Sequence, residues 1–105
     1  MDTKYEVRLS LAANNDLDEI FSYVSGILSA EQTAKKLMRE IHETILSLAQ
    51  MPHRFSLSLD ATLAQRGYRR ALVKKYVILY LIDEDEKRVD IARIFHGSMN
   101  YVKYI

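Results

Sequence analysis

The stretch ALVKKYVILYLIDEDEKRVDIARIFHG, residues 71–97, constrains the fold more than any other part of the chain. Its middle portion, KYVILYLI, is apolar at almost every position, which suits a strand covered on both faces inside a sheet. The charged run DEDEK at residues 83–87 interrupts that pattern and forms a turn into a third run, RVDIARIFH. Upstream, GYRRALV reads as a further strand. These three segments therefore form consecutive antiparallel strands, with KYVILYLI in the centre.

The N-terminal half supplies what such a sheet must be covered with. KYEVRLS alternates Tyr5, Val7 and Leu9 with Glu6 and Arg8, the period of a strand buried on one face. Ser10 is a candidate N-cap for a helix whose apolar residues Leu17, Ile20, Phe21, Val24 and Leu28 share one side. SAEQ, beginning at Ser29, matches the capping-box pattern and opens a second helix. Its stripe is Ala34, Leu37, Met38, Ile41, Ile45 and Leu48, ending at Met51 and Pro52. Residues 52–66 show only a brief alternation of Phe55, Leu57 and Leu59 and read as a loop laid over the body.

The resulting order, β-α-α-β-β-β, predicts an α+β fold: a mostly antiparallel four-stranded sheet with a helix hairpin packed on one face. Its expected core holds Leu17, Phe21, Leu37, Ile41, Ile45 and either Val77, Leu79 and Leu81 or their strand neighbours. A length of 105 residues suits a single domain, 1–105. There is no cysteine, so packing must hold the fold without disulfides or thiolate metal sites. The longest apolar run, residues 76–82, is too short to cross a bilayer, and the N-terminus lacks a basic segment before an apolar signal core. A cytoplasmic location is expected, with no membrane partner.

Net charge is only +1, modest for a protein that neutralises many phosphates. The distribution is less even, because residues 65–80 carry Arg66, Arg69, Arg70, Lys74 and Lys75 with no acid. Such a stretch serves phosphate, an acidic protein partner, or simply a solvated strand edge. His96 closes the last strand, and strict alternation puts it with Asp90, Ala92 and Ile94, opposite Val89, Ile91, Arg93 and Phe95. A histidine there suits proton transfer, or it finishes the strand structurally. His42 and His53 show no ligand spacing, so no metal and no cofactor is assigned. Metal-free RNA cleavage needs a base, a cation for the charged phosphorane and an acid. His96, one of Arg69, Arg70 or Arg93, and Tyr101 or Tyr104 are residues of those types.

Three stretches, YEVRLSLAANNDLDEIFSYV, GYRRALVKKYVILYLID and VDIARIFHGSMN, resemble the RelE/ParE superfamily of toxins from type II toxin-antitoxin modules. The resemblance covers nearly the whole chain and implies a cognate antitoxin; the local charge of Arg66, Arg69, Arg70, Lys74 and Lys75 makes the basic strand the expected seat of that antitoxin or of the target. Relatives that cut mRNA on the ribosome carry an arginine in the central strand, where this chain has Val77. Many relatives also have arginines directly after His-Gly, where this chain has Ser98 and Met99. Those departures place the chain nearer the ParE side, whose members act on DNA gyrase. The alternatives are a ribosome-dependent mRNA endonuclease, with His96, Arg70, Arg93 and Tyr101 as its catalytic set, and a degenerate module that binds its antitoxin without toxicity. Whether the chain is an enzyme stays open between them.

Overall fold

The computed structural model describes residues 4–99. Tyr5, Val7 and Leu9 turn inward from the first strand, β1 (Glu6–Leu9), and Ser10 then starts helix α1 (Leu11–Ser22) by accepting the Ala13 N–H at 2.9 Å. A π-helical turn, Tyr23–Ile27, continues α1 to the tip of the hairpin, and α2 (Glu31–Ser47) returns. After a 3-10 turn, Pro52–Arg54, comes a single-turn helix, α3 (Ala61–Gln65). Three strands complete the described chain: β2 (Arg69–Val73), β3 (Tyr76–Asp83) and β4 (Arg88–His96).

The four strands lie in the order β1-β4-β3-β2, antiparallel except that β1 runs parallel to β4. β3 is interior, as its apolar run requires. Its alternate residues serve two different cores. Ile78 and Tyr80 join Ala71, Val89, Ile91 and Ile94 against the helix hairpin, where Leu17, Leu37, Ile41 and Ile45 are buried and Phe21 packs half-buried. Leu79 faces the other way, into a smaller cluster with Leu63 and Tyr68, and half-buried Leu81 packs against it. The hairpin-side core thus takes the strand neighbours of Val77, Leu79 and Leu81.

Three expectations from sequence are corrected. Ser29 does not cap α2: it sits at φ 51° and its neighbour Ala30 occupies the cap position without a side-chain bond. The helical course runs through the π-helical turn to its C-cap at Leu28, as the stripe implies, and the tight reversal at Ser29 removes the capping-box geometry. Residues 52–66 are not all loop, since α3 covers the outer face of the sheet through Leu63, with Asp60 capping it at 2.9 Å.

The third correction concerns the last strand. A bulge puts Arg93 opposite Leu79 but Ile91 opposite Tyr80, leaving Ala92 as the extra residue. Side chains after Ala92 therefore change face. His96 pairs with Tyr76 and stands with Ile91 and Ile94 on the hairpin side, while Asp90 and Arg93 share the outer face. The cause is the neighbour: β1 ends opposite Ile91, and α1 then takes over the edge of β4. Ser10 donates its N–H to the Ile91 carbonyl at 3.0 Å and its hydroxyl to the Ala92 carbonyl at 2.7 Å.

Candidate functional site

Beyond the end of β1, the tip of the hairpin and the far end of the sheet diverge and leave a groove of about 1040 Å³. Ile20, Val24, Leu37 and Ile94 form its apolar lining, and Tyr23, Leu28 and Met99 stand exposed around it. The cations are Lys36 from α2, Lys74 and Lys75 from the β2–β3 turn, and Arg93 from β4. Lys74 turns the chain at φ 54° and reaches Glu40 at 3.8 Å, linking the sheet to α2 across one side of the groove.

Asp16 forms the groove's anchored corner. It is 8% exposed on the inward side of α1, where an acid without partners would be costly. Both its oxygens are used: Arg93 Nε donates at 2.8 Å, Arg93 Nη2 at 2.9 Å, and the Ile94 N–H at 2.9 Å. This planar fork fixes α1 along the part of β4 that β1 leaves uncovered. Arg93 also stacks over Phe95, 4.7 Å from the ring centroid.

His96 stands at the groove's other corner. Its ring meets Tyr76 edge-on with centroids 5.4 Å apart, and its Nδ1 lies 2.7 Å from Ser98 Oγ. Burial, and after it the nearby Tyr23, holds the Tyr76 hydroxyl protonated above the ordinary tyrosine range. Gly97 donates its N–H to the Lys75 carbonyl at 2.7 Å, and a Cβ there would come within 3.2 Å of that oxygen. The glycine lets the end of β4 close onto the lysine turn.

The basic stretch does not form one surface. Lys74 and Lys75 belong to the groove, but Arg69 donates from Nη1 to the Phe55 carbonyl at 2.6 Å and anchors the preceding loop. Arg66 is exposed and stacks on Tyr68 at 5.4 Å. Arg70 lies on the outer face opposite Leu79, with its Nε buried and without a hydrogen-bond partner among the described residues. His96 and Arg70 are therefore on opposite sides of the sheet, and Arg93 is held by Asp16. Tyr101 and Tyr104 lie outside the described residues.

Asp16, Tyr76 and Ser98 were not among the residues singled out from sequence. Asp16 had a legible signal: it is an acid within the inward stripe of a helix, in a chain whose last strand carries a single internal arginine. Ser98 had none, because its role depends on the turn after the strand.

The overall fold is similar to that of solved toxin-antitoxin proteins. A chain of the chromosomal ParDE system of P. aeruginosa matches with a TM-score of 0.71 and 19% identity, over 90% of this chain and 97% of that one. A chain of the RelBE2 toxin-antitoxin complex of Mycobacterium tuberculosis matches with a TM-score of 0.63 and 26% identity, over 89% and 98%. No curated protein sequence matches the chain. The model of the family described as ParE toxin of type II toxin-antitoxin system, parDE, matches residues 7–101. The chain belongs to that family of toxins. Among the described residues, no helix is long and apolar enough to cross a membrane.

Proposed function

We propose that this toxin is a growth inhibitor that binds DNA gyrase and is neutralised by a cognate antitoxin seated in the groove. The observation that carries the first part is the dispersal of the candidate nuclease groups. Cleavage without a metal needs its proton carrier and its cations around one phosphate. Here His96 and Arg70 face opposite sides of the sheet, and the guanidinium groups of Arg69 and Arg93 are already engaged. For the second part, both solved relatives come from toxin-antitoxin systems, and an apolar groove rimmed by lysines fits an amphipathic, acidic segment.

Induction in cells, read separately for DNA damage and for translation, tests the target. Filamentation with an SOS response, and loss of supercoiling activity when purified gyrase meets the toxin, are the expected results. The mRNA-cleavage reading keeps one supporting observation, the Nε of Arg70 on the outer face, buried and without a hydrogen-bond partner among the described residues. Rapid arrest of translation with cut mRNA establishes that reading instead. Antitoxin binding without growth arrest marks a degenerate module. In the gyrase reading His96→Ala leaves toxicity in proportion to the folded protein recovered. A well-folded His96→Ala toxin that no longer cleaves mRNA or arrests growth reverses the ranking.

A further inference from the structure

We propose that Ser98 sets the His96 ring as a hydrogen-bond donor into the groove, and that the groove recognises a carboxylate at this point. The argument starts from the two groups of Ser98 that reach one ring nitrogen. Its backbone N–H lies 3.2 Å from His96 Nδ1, and its Oγ lies 2.7 Å from the same atom. A backbone N–H can only donate, so a neutral His96 accepts at Nδ1 and carries its proton on Nε2. The serine hydroxyl, free to rotate, donates to the same lone-pair region.

The backbone around this turn leaves the ring little freedom. Met99 N–H bonds to the His96 carbonyl at 2.9 Å, Gly97 is tied to Lys75, and the ring edge meets Tyr76. His96 is exposed on the groove wall, and its Nε2 has no partner among the described residues. A positioned N–H donor with no acceptor selects oxygen acceptors on whatever lies opposite and disfavours a second donor. The neighbouring charges choose among acceptors. Lys36 and Lys75 line the same groove and form no ion pair among the described residues, which favours a carboxylate over a neutral carbonyl. Asp16 and Glu40 are occupied by Arg93 and Lys74, which leaves Glu19 as the groove's opposing charge. The inference deepens the reading of the groove as the antitoxin's seat and rests on it for the identity of the occupant; the state of the ring does not.

The experiment is a two-bond proton-nitrogen correlation spectrum of the histidine rings in the full-length chain, recorded where His96 is neutral. The expected spectrum shows His96 with its proton on Nε2 alone. Ser98→Ala keeps the backbone N–H but removes the hydroxyl, and is expected to blur the single-tautomer pattern; Ser98→Thr restores it. Tetraglutamate with an amidated C-terminus is then added, with tetraglutamine, likewise amidated and so free of carboxylate, as control. The His96 Nε2 signal is expected to shift with the first peptide and not the second. A proton on Nδ1 overturns the assignment of the ring as a donor at Nε2, and a Ser98→Ala spectrum identical to the parent overturns the part given to the serine hydroxyl. Equal shifts with both peptides, or none with either, overturn the carboxylate. The antitoxin reading fails separately, when a co-purified antitoxin protects surfaces other than the groove from hydrogen exchange.

Discussion

The two ends of the sheet are built from similar residues and do opposite things with them. At the β3–β4 turn most charged groups find a counterpart nearby, Asp85 and Glu86 being the exceptions among the described residues. Glu84 receives the Tyr5 hydroxyl at 3.1 Å, His53 Nε2 at 3.0 Å and Lys87 at 3.8 Å, and Arg88 sits between Asp83 at 3.4 Å and Asp90 at 2.9 Å. At the other end, Lys36, Lys75 and His96 line a groove whose apolar rim includes exposed Tyr23, Leu28 and Met99. Both ends contain ion pairs, but the cations of the turn are paired, whereas Lys36 and Lys75 beside the groove are not, among the described residues. Unused binding capacity beside apolar surface, rather than the density of charge, distinguishes the site.

The strongest test of this contrast removes the corner that holds the groove open. Asp16→Ala takes the carboxylate away from Arg93 and from the Ile94 N–H, and is expected to lower stability by about 3 kcal/mol in urea denaturation. A loss below about 1 kcal/mol means that the fork is not what fixes α1 to β4. Ser10→Ala comes next, at about 1 to 2 kcal/mol, because a single hydroxyl both caps α1 and satisfies the Ala92 carbonyl. Tyr80→Phe removes the buried bond to the Pro52 carbonyl, 2.7 Å long, for about 1 kcal/mol.

Tyr80 also gives a pH dependence of known sign. Burial raises its pKa above the ordinary 10.0, an effect that Arg69 partly offsets. Above about pH 10 the unfolded tyrosine ionises while the folded one keeps its proton. The folded state then binds more protons, so stability falls as pH rises through that window. Thermal melts across it are expected to drop less steeply for Tyr80→Phe than for the parent; an equal or steeper fall would falsify the assignment.

The smallest stability effects sharpen the comparison most. Glu84→Gln and Lys75→Gln remove exposed charges from opposite ends, and each is expected to change stability by no more than about 0.5 kcal/mol. Only Lys75→Gln is expected to weaken tetraglutamate or antitoxin binding. If Glu84→Gln weakens it equally, the two ends are not functionally distinct.

The architecture was legible because long periodic segments dominate it: two helical stripes, an all-apolar central strand and a charged turn. α3 escaped because five residues are too few to show a helical period, although Asp60 before it and Gly67 after it, at φ 90°, mark its ends. The site was harder to read. Alternation correctly separated Arg69 from Arg70, yet it misplaced His96, because the bulge at Ala92 arises from β1 ending beside Ile91, a contact between opposite ends of the chain. The basic stretch looked continuous for the same reason. Linear neighbours were grouped, whereas the fold sends Arg69 to a loop, Arg70 to the outer face and the lysines to the groove.

The groove also has a timetable. Its walls run from Asp16 to Met99, and β1 waits for β4, pairing Glu6 with Arg88. Helices and hairpins of short sequence separation assemble early, whereas a pairing that spans the chain comes last. On the ribosome, α1 and α2 emerge well before the strand that completes the groove. A nascent toxin therefore has no assembled groove until β4 and the turn through Met99 have left the ribosome, however early its helical wall has formed.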